Sequence, residues 1–230
     1  MRYSLVPSSQ ATPHYGILLS VLLVLWVVAP LVPDRADYVV EFFFDLVLIT
    51  GAYSAAWQSK HRVPFVVLTV VTLGVRWTDM IMDHGGFAPV SIVLALAWLI
   101  YAIVLVLAAL FRMQRVGTNA ILGAIVAYML AAIAFAFCFE LIEVLAPASF
   151  SGLPTGESQR GVGHALLYFS FVSITTMGYG DILPVSELAR SAATLEGVFG
   201  TLYLAVMIAR LVGMHSSTPS EAAAGSGAGG

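Results

Sequence analysis

The chain has 230 residues, 60% of them hydrophobic and only 10% charged, with a formal net charge of −3. Soluble domains run at about 45–50% apolar and about 25% charged, so this is the composition of an integral membrane protein. A charge so small and negative also gives no footing to a nucleic-acid partner.

Six segments have the length, roughly 17–25 residues, that spanning a bilayer requires: 17–33, 38–57, 63–82, 88–111, 119–145 and 187–213. The expected class is therefore an all-α membrane protein with six transmembrane helices. The first is no cleaved leader, because only Arg2 precedes it and its exit "APLVPD" lacks a small-x-small site. Glu41 and Asp45 stand i, i+4 on the second segment, and Arg76, Asp79 and Asp83 share a face of the third. They read as an ion-pair cluster in which Arg76 takes Asp45 or Asp79; a proton- or ligand-sensing site is the sharper alternative. The fourth segment carries no Lys or Arg before Arg112. Cys138, the single cysteine, reads as a small core residue, and the five histidines show no metal-ligand spacing.

Arg2, Lys60, Arg62, Arg112, Arg115 and Arg210 fall on alternate connections. The positive-inside rule then places both termini in the cytoplasm and the 146–186 connection outside. If a stimulus acts within the chain, outer-side pH is the expected one, since Glu221 is the only acidic residue left in the cytoplasm.

That outer connection turns apolar again at "HALLYFSFVSI", 164–174, which is too short to cross and reads as a re-entrant half-helix. "TTMGYGD", 175–181, follows, then Pro184 and Ser186, an N-cap for the last helix. Glycine-rich backbone at membrane depth is tolerated only where it is buried in protein or lines a water-filled path.

Residues 164–213 resemble the pore module of tetrameric potassium channels, whose filter reads Thr-x-Gly-Tyr-Gly followed by Asp. The resemblance implies that the carbonyls of Thr176, Met177, Gly178 and Tyr179, with the Thr176 hydroxyl, replace the water shell of K+. Gly178 and Gly180 let successive carbonyls point the same way. Thr175 and Asp181 flank the filter. Tyr168 and Phe169 stand where relatives often carry Trp, which implies an aromatic cuff around Tyr179. Val172 replaces a Glu that in many relatives pairs with the Asp after the filter, so Asp181 lacks that partner. Met177 departs from the commoner Val or Ile, which softens the packing behind the filter. The half-helix aims its partially negative end at the cavity.

Gly200 stands 19 residues past Asp181, where the family's hinge glycine sits, although a glycine there equally permits close packing. Thr201, Leu204 and Ile208 are expected to line the cavity, with Ile208 and Val212 closing its lower end. Glu196 is read as hydrogen-bonded to Ser or Thr behind the filter, with a pH or inactivation switch as the alternative; Asp45, Arg76 and Asp79 are the other candidate sensor residues. One filter segment per chain implies a homotetramer.

The six-helix plan resembles that of voltage-gated channels, but without their arginine series. The expected division is a cytoplasmic N-terminus (1–15), a four-helix membrane domain (16–115), a pore domain (116–214) and a disordered tail (215–230). The expectation is a potassium-selective, not steeply voltage-gated channel of the cell membrane, its filter entrance extracellular or periplasmic. It needs no cofactor and is no enzyme; K+ is the permeant ion. The alternatives are a non-conducting regulatory subunit, a pH-gated cation channel and a secondary transporter, which would show related halves. A membrane enzyme would have to use Ser170, His164 and Asp181 without a nucleophile elbow or zinc motif.

Overall fold

The computed structural model describes residues 15–28, 45–50, 62–82, 88–113, 117–154 and 159–216. The expected N-terminal segment before Tyr15, the tail beyond Ser216, and Glu41 and Asp83 lie outside the described residues, as does the side chain of Asp79. The helices are α1 (Tyr15–Val28), α2 (45–50), α3 (Arg62–Met82), α4 (Ala88–Arg112), α5 (Thr118–Leu145), α6 (Gln159–Ile174) and α7 (Glu187–Ser216). Two short strands, β1 (Phe150–Ser151) and β2 (Leu183–Pro184), complete the described elements. Helical residues thus fall within each of the six expected spans. Pro89–Arg112, Thr118–Leu145 and Glu187–Gly213 are long and apolar enough to cross a membrane.

The chain divides into two compact units, residues 1–106 and 107–230. In the first, α4 buries Ile92, Ala95, Trp98, Leu99 and Ala102, a stripe at three- and four-residue spacing. The Trp98 indole N–H donates to the Thr69 hydroxyl at 2.8 Å, and that hydroxyl donates to the Phe65 carbonyl at 2.9 Å. The Phe65 ring lies 5.0 Å from Trp98 and 5.4 Å from Tyr101. Asp45 is buried. Its Oδ1 is 3.5 Å from Arg76 Nε, and its Oδ2 accepts the Trp77 indole N–H at 3.0 Å. Of the two partners expected for Arg76, Asp45 is the one whose side chain is described, and it stands beside Arg76.

In the second unit α5, α6 and α7 pack on one another. Their shared core holds Phe139 and Ile142 of α5, Phe150 of β1, Leu166 and Phe169 of α6, and Ile182 and Ala189. Three rings meet edge to face: Phe139 lies 5.2 Å from Phe169 and 5.5 Å from Phe150, and Phe150 lies 5.5 Å from Phe169. Such geometry suits the ring quadrupoles.

β1 and β2 pair antiparallel, Phe150 opposite Pro184 and Ser151 opposite Leu183, which ties the turn after α5 to the segment before α7. The turn itself is built on Glu143, whose carboxylate accepts the N–H groups of Ala148, Ser149 and Phe150 at 2.8, 3.0 and 3.2 Å. Charge-assisted bonds of this kind are roughly twice as strong as neutral ones. Ser186 caps α7, its Oγ accepting the Ala189 N–H at 3.2 Å.

Truncating the α5 ring that meets both α6 and β1 tests this core. Phe139→Ala should cost about 3–5 kcal/mol, seen as a lower thermal midpoint of the detergent-purified protein.

Candidate functional site

α6 begins at Gln159 rather than His164, because its first turn is polar and escapes an apolar count. It ends in a way that shapes everything after it. The N–H of Thr176 donates to the Ser173 carbonyl at 3.0 Å, and the N–H of Met177 to the Val172 carbonyl at 2.9 Å. These are the two bonds of a Schellman closure, with Thr176 at the position that glycine usually takes in the left-handed region. Thr176 has φ +58°. For a β-branched residue this conformation is a true outlier, and such strain marks positions the surroundings over-determine.

The Gly178 N–H also reaches the Val172 carbonyl, at 3.3 Å, and the Thr175 hydroxyl and N–H reach the Phe171 carbonyl at 2.6 and 3.3 Å. The last carbonyl of α6, on Ile174, accepts the Tyr128 hydroxyl at 2.9 Å. All four terminal carbonyls of the half-helix therefore have donors.

Beyond Thr176 the left-handed conformation recurs at every second residue, with φ +60° at Gly178 and +80° at Gly180. Alternation of right- and left-handed residues gathers successive N–H groups on one side of the chain, leaving the carbonyls on the other. Among the described residues no donor reaches the carbonyl oxygens of Thr176, Met177, Gly178 or Tyr179. Residues 175–181 are all exposed.

The expected aromatic pair separates. Tyr168 stacks on Tyr179, centroids 6.4 Å apart and planes within 8°, and its hydroxyl donates to Asp181 Oδ2 at 2.8 Å. Asp181 thus has a phenol where a glutamate was found wanting. Phe169 turns instead into the core with Phe139 and Phe150. Val172 is buried and serves through its backbone carbonyl. Gly152, φ +82°, lies so close to the Asp181 carbonyl that a Cβ has no room.

Behind the segment, Ser170 of α6 touches both the Ala132 carbonyl of α5, at 2.6 Å, and the Glu196 carboxyl of α7. Of the two readings of Glu196, the hydrogen bond to a serine is present in the geometry. The triad imagined from Ser170, His164 and Asp181 is not assembled: Ser170 is fully buried against Glu196, while Asp181 is held by Tyr168.

α7 runs unbroken from Glu187 to Ser216. It buries one stripe, Ala189, Glu196, Gly200, Tyr203 and Met207, and leaves Thr201, Leu204, Ile208 and Val212 exposed together. Gly200 abuts the Ile174 carbonyl, so the glycine is used here for close approach. Tyr203 donates to the Ala124 carbonyl at 2.7 Å. Arg210 reads in the sequence as a topology signal, but its Nη2 donates to the carbonyls of Leu110 and Phe111 at 3.0 and 2.9 Å. Its guanidinium also lies 4.6 Å from the Phe111 ring centroid. Sequence reasoning passed over Tyr128 and Tyr203. A tyrosine inside an apolar helix is the available signal, since a buried phenol needs a partner.

Residues 90–216 match the family model described as "Ion channel". The chain is also 33% identical over 75 residues to an inward rectifier potassium channel, Kirbac3.1, of Paramagnetospirillum magnetotacticum. That stretch is 33% of this chain and 21% of the relative, so the chain spans about a fifth of the relative's length. No solved structure matches.

Two glycines three residues apart on α7 make a controlled comparison. Gly200→Ala drives a methyl into the Ile174 carbonyl, whereas Gly197 has open space around its Cβ position. Gly200→Ala should cost about 1–3 kcal/mol by overpacking, and Gly197→Ala should leave the thermal midpoint level or raised.

Proposed function

We propose a function on one premise: the chain belongs to the ion channel family. It is one subunit of a potassium-selective channel, and the carbonyls of Thr176, Met177, Gly178 and Tyr179 form the ion path. The observation that carries this reading is the row of acceptors with no donor, in a chain whose apolar helices make it a membrane protein. A bare carbonyl in a bilayer costs several kcal/mol unless water or an ion satisfies it. Potassium gives up its hydration shell to rings of such carbonyls. The potassium channel among the relatives points the same way.

A ring requires more than one chain. Each subunit offers a single such segment, so four copies around an axis supply the ligand set, and the assembly is a homotetramer. The exposed apolar residues of α7 support this. A helix that is apolar on nearly all sides needs lipid or protein around it, and Leu195, Leu202, Leu204, Ile208 and Val212 are all exposed on the isolated chain. Thr201, Leu204 and Ile208 line the water-filled approach below the filter, and Val212 narrows its end. Asp45 and Arg76 serve as a structural ion pair.

Two measurements test the proposal. Gly178→Ala should abolish the preference for K+ over Na+, because alanine held at φ +60° loses about 1–2 kcal/mol. Purified protein in planar bilayers under a potassium gradient reads this directly, and an unchanged reversal potential would exclude residues 176–179 as the path.

Voltage dependence is the second. α4 carries no basic residue before Arg112. A voltage-sensing tetramer moves roughly 12 elementary charges, each gaining about 2.3 kcal/mol per 100 mV. The conductance–voltage relation should therefore be shallow, equivalent to about one or two charges. Steepness near the higher figure would overturn this and return attention to Arg76.

A further inference from the structure

Glu196 has no exposed surface within a single chain, although it lies inside a membrane-crossing helix, nine residues beyond its start at Glu187. Its Oε1 contacts the Ser170 hydroxyl, and its Oε2 has no hydrogen-bond partner among the described residues. Ser170 in turn lies 2.6 Å from the Ala132 carbonyl.

Counting protons across these atoms decides between two states. A serine hydroxyl has one proton to give, and a carbonyl or an ionised carboxylate has none. Were Glu196 ionised, Ser170 would face two pure acceptors with a single proton. One contact would then set lone pair against lone pair. Oε2 would also hold buried charge with no donor, which is among the costliest arrangements in a protein interior. With a proton on Glu196 both contacts are satisfied. Glu196 donates to Ser170 Oγ, Ser170 donates to the Ala132 carbonyl, and the chain of bonds runs from α7 through α6 to α5.

We infer that Glu196 acts as a neutral proton donor to Ser170, and that this bond positions the half-helix behind the conducting segment. The placement supports a positioning role. Ser170 and Ile174 are one turn apart on α6, and Glu196 and Gly200 are one turn apart on α7. The two helices therefore meet at a polar contact and, one turn on, at the close approach of Gly200 to the Ile174 carbonyl. Ile174 is followed at once by the Schellman closure that sets Thr176. A shift of α6 at Ser170 therefore reaches the first carbonyl of the path within six residues. The titratable groups that face Glu196 are Tyr128 and Cys138 of α5. α6 presents only the Ser170 hydroxyl, and no basic residue among those described acts on the carboxyl.

This inference rests on the reading of 176–179 as the ion path, and the test separates the two. Glu196→Gln keeps the shape and supplies an N–H donor that does not titrate. It should retain wild-type K+/Na+ permeability ratio and conductance, whereas Glu196→Ala and Ser170→Ala should lower the permeability ratio roughly tenfold through loss of a buried hydrogen bond. Wild-type conductance should fall as the bath is made alkaline, and Glu196→Gln should be flat over the same range. The wild-type infrared spectrum at neutral pH should contain a carboxylic-acid carbonyl band that Glu196→Gln removes and Ser170→Ala displaces. Absence of that band overturns the inference without requiring any variant to fold. So does a Glu196→Gln channel that behaves like Glu196→Ala. If Gly178→Ala leaves selectivity intact, the ion path has been misplaced; if Gly178→Ala abolishes selectivity while Glu196→Gln fails to rescue, only the role of Glu196 falls.

Discussion

The structure turns on how the polar groups of residues 176–179 are divided. Every backbone N–H and C=O inside a membrane needs a partner, and here the two kinds are sent in opposite directions. The N–H groups of Thr176, Met177 and Gly178 all donate backward into the carbonyls of Ser173 and Val172. The carbonyls of the same residues are left without donors. One side of the chain is thus sealed by the half-helix that precedes it, and the other is left exposed. The alternation of handedness at 176, 178 and 180 makes this division possible. Glycine supplies it freely at two of the three positions. At the third, threonine accepts about 1–2 kcal/mol of backbone strain, offset by closure bonds worth about 1 kcal/mol each, and brings a hydroxyl that glycine lacks.

A strained segment needs walls, and they come from elements distant in sequence. The inner end is held by Tyr128 on the Ile174 carbonyl and by Gly200 against the same peptide. The outer end is held by Tyr168, which stacks on Tyr179 and binds Asp181, and by Gly152 beneath the Asp181 carbonyl. Between them the Phe139, Phe150 and Phe169 rings join α5, β1 and α6. The backbone of 175–181 is therefore gripped at both ends while its middle stays exposed. That is the arrangement expected of a site preorganised by its surroundings.

How much of this the sequence disclosed follows from distance along the chain. The half-helix, the alternating glycines and the Ser186 cap were legible, because each is written in fewer than a dozen consecutive residues. The Glu143 carboxylate that builds the turn after α5 was not, since a bare Glu near a helix end carries no signature of three N–H donors. Tyr128 and Ile174 are 46 residues apart, and Arg210 and Leu110 are 100 apart. No periodicity reports such pairs. Asp181 is the instructive case. Val172 in place of an acid correctly removed one partner, but the phenol that takes over arrives from Tyr168, a residue expected in an aromatic cuff around Tyr179 and not as a partner of Asp181. Phe169, expected beside it, is rotated about one residue step, roughly 100° around the helix axis, and so faces the core. Adjacent residues on a helix do not share a face, and a cuff read from neighbouring letters had to split.

α7 is bound to its surroundings at three levels, and their chemistry differs in a way that bears on movement. At Glu196 and Gly200 it is fixed to α6 by a fully buried polar contact and a backbone approach with no slack. One turn lower, Tyr203 bonds the Ala124 carbonyl, again buried. At Arg210 the contact is different in kind: a guanidinium on the last carbonyls of α4, half-exposed and stacked on the Phe111 ring. A cation there is favoured by the helix terminus, yet water can take over each of those carbonyls at little cost, because net bonds to solvent-accessible groups amount to about 1 kcal/mol. The helix is consequently held most firmly beside residues 175–181 and most loosely at its far end. Any displacement of that far end either releases Arg210 or carries residues 110–113 with it. No break in α7 is needed for such a displacement, since Gly200 and Arg210 already lie more than two turns apart along one continuous helix.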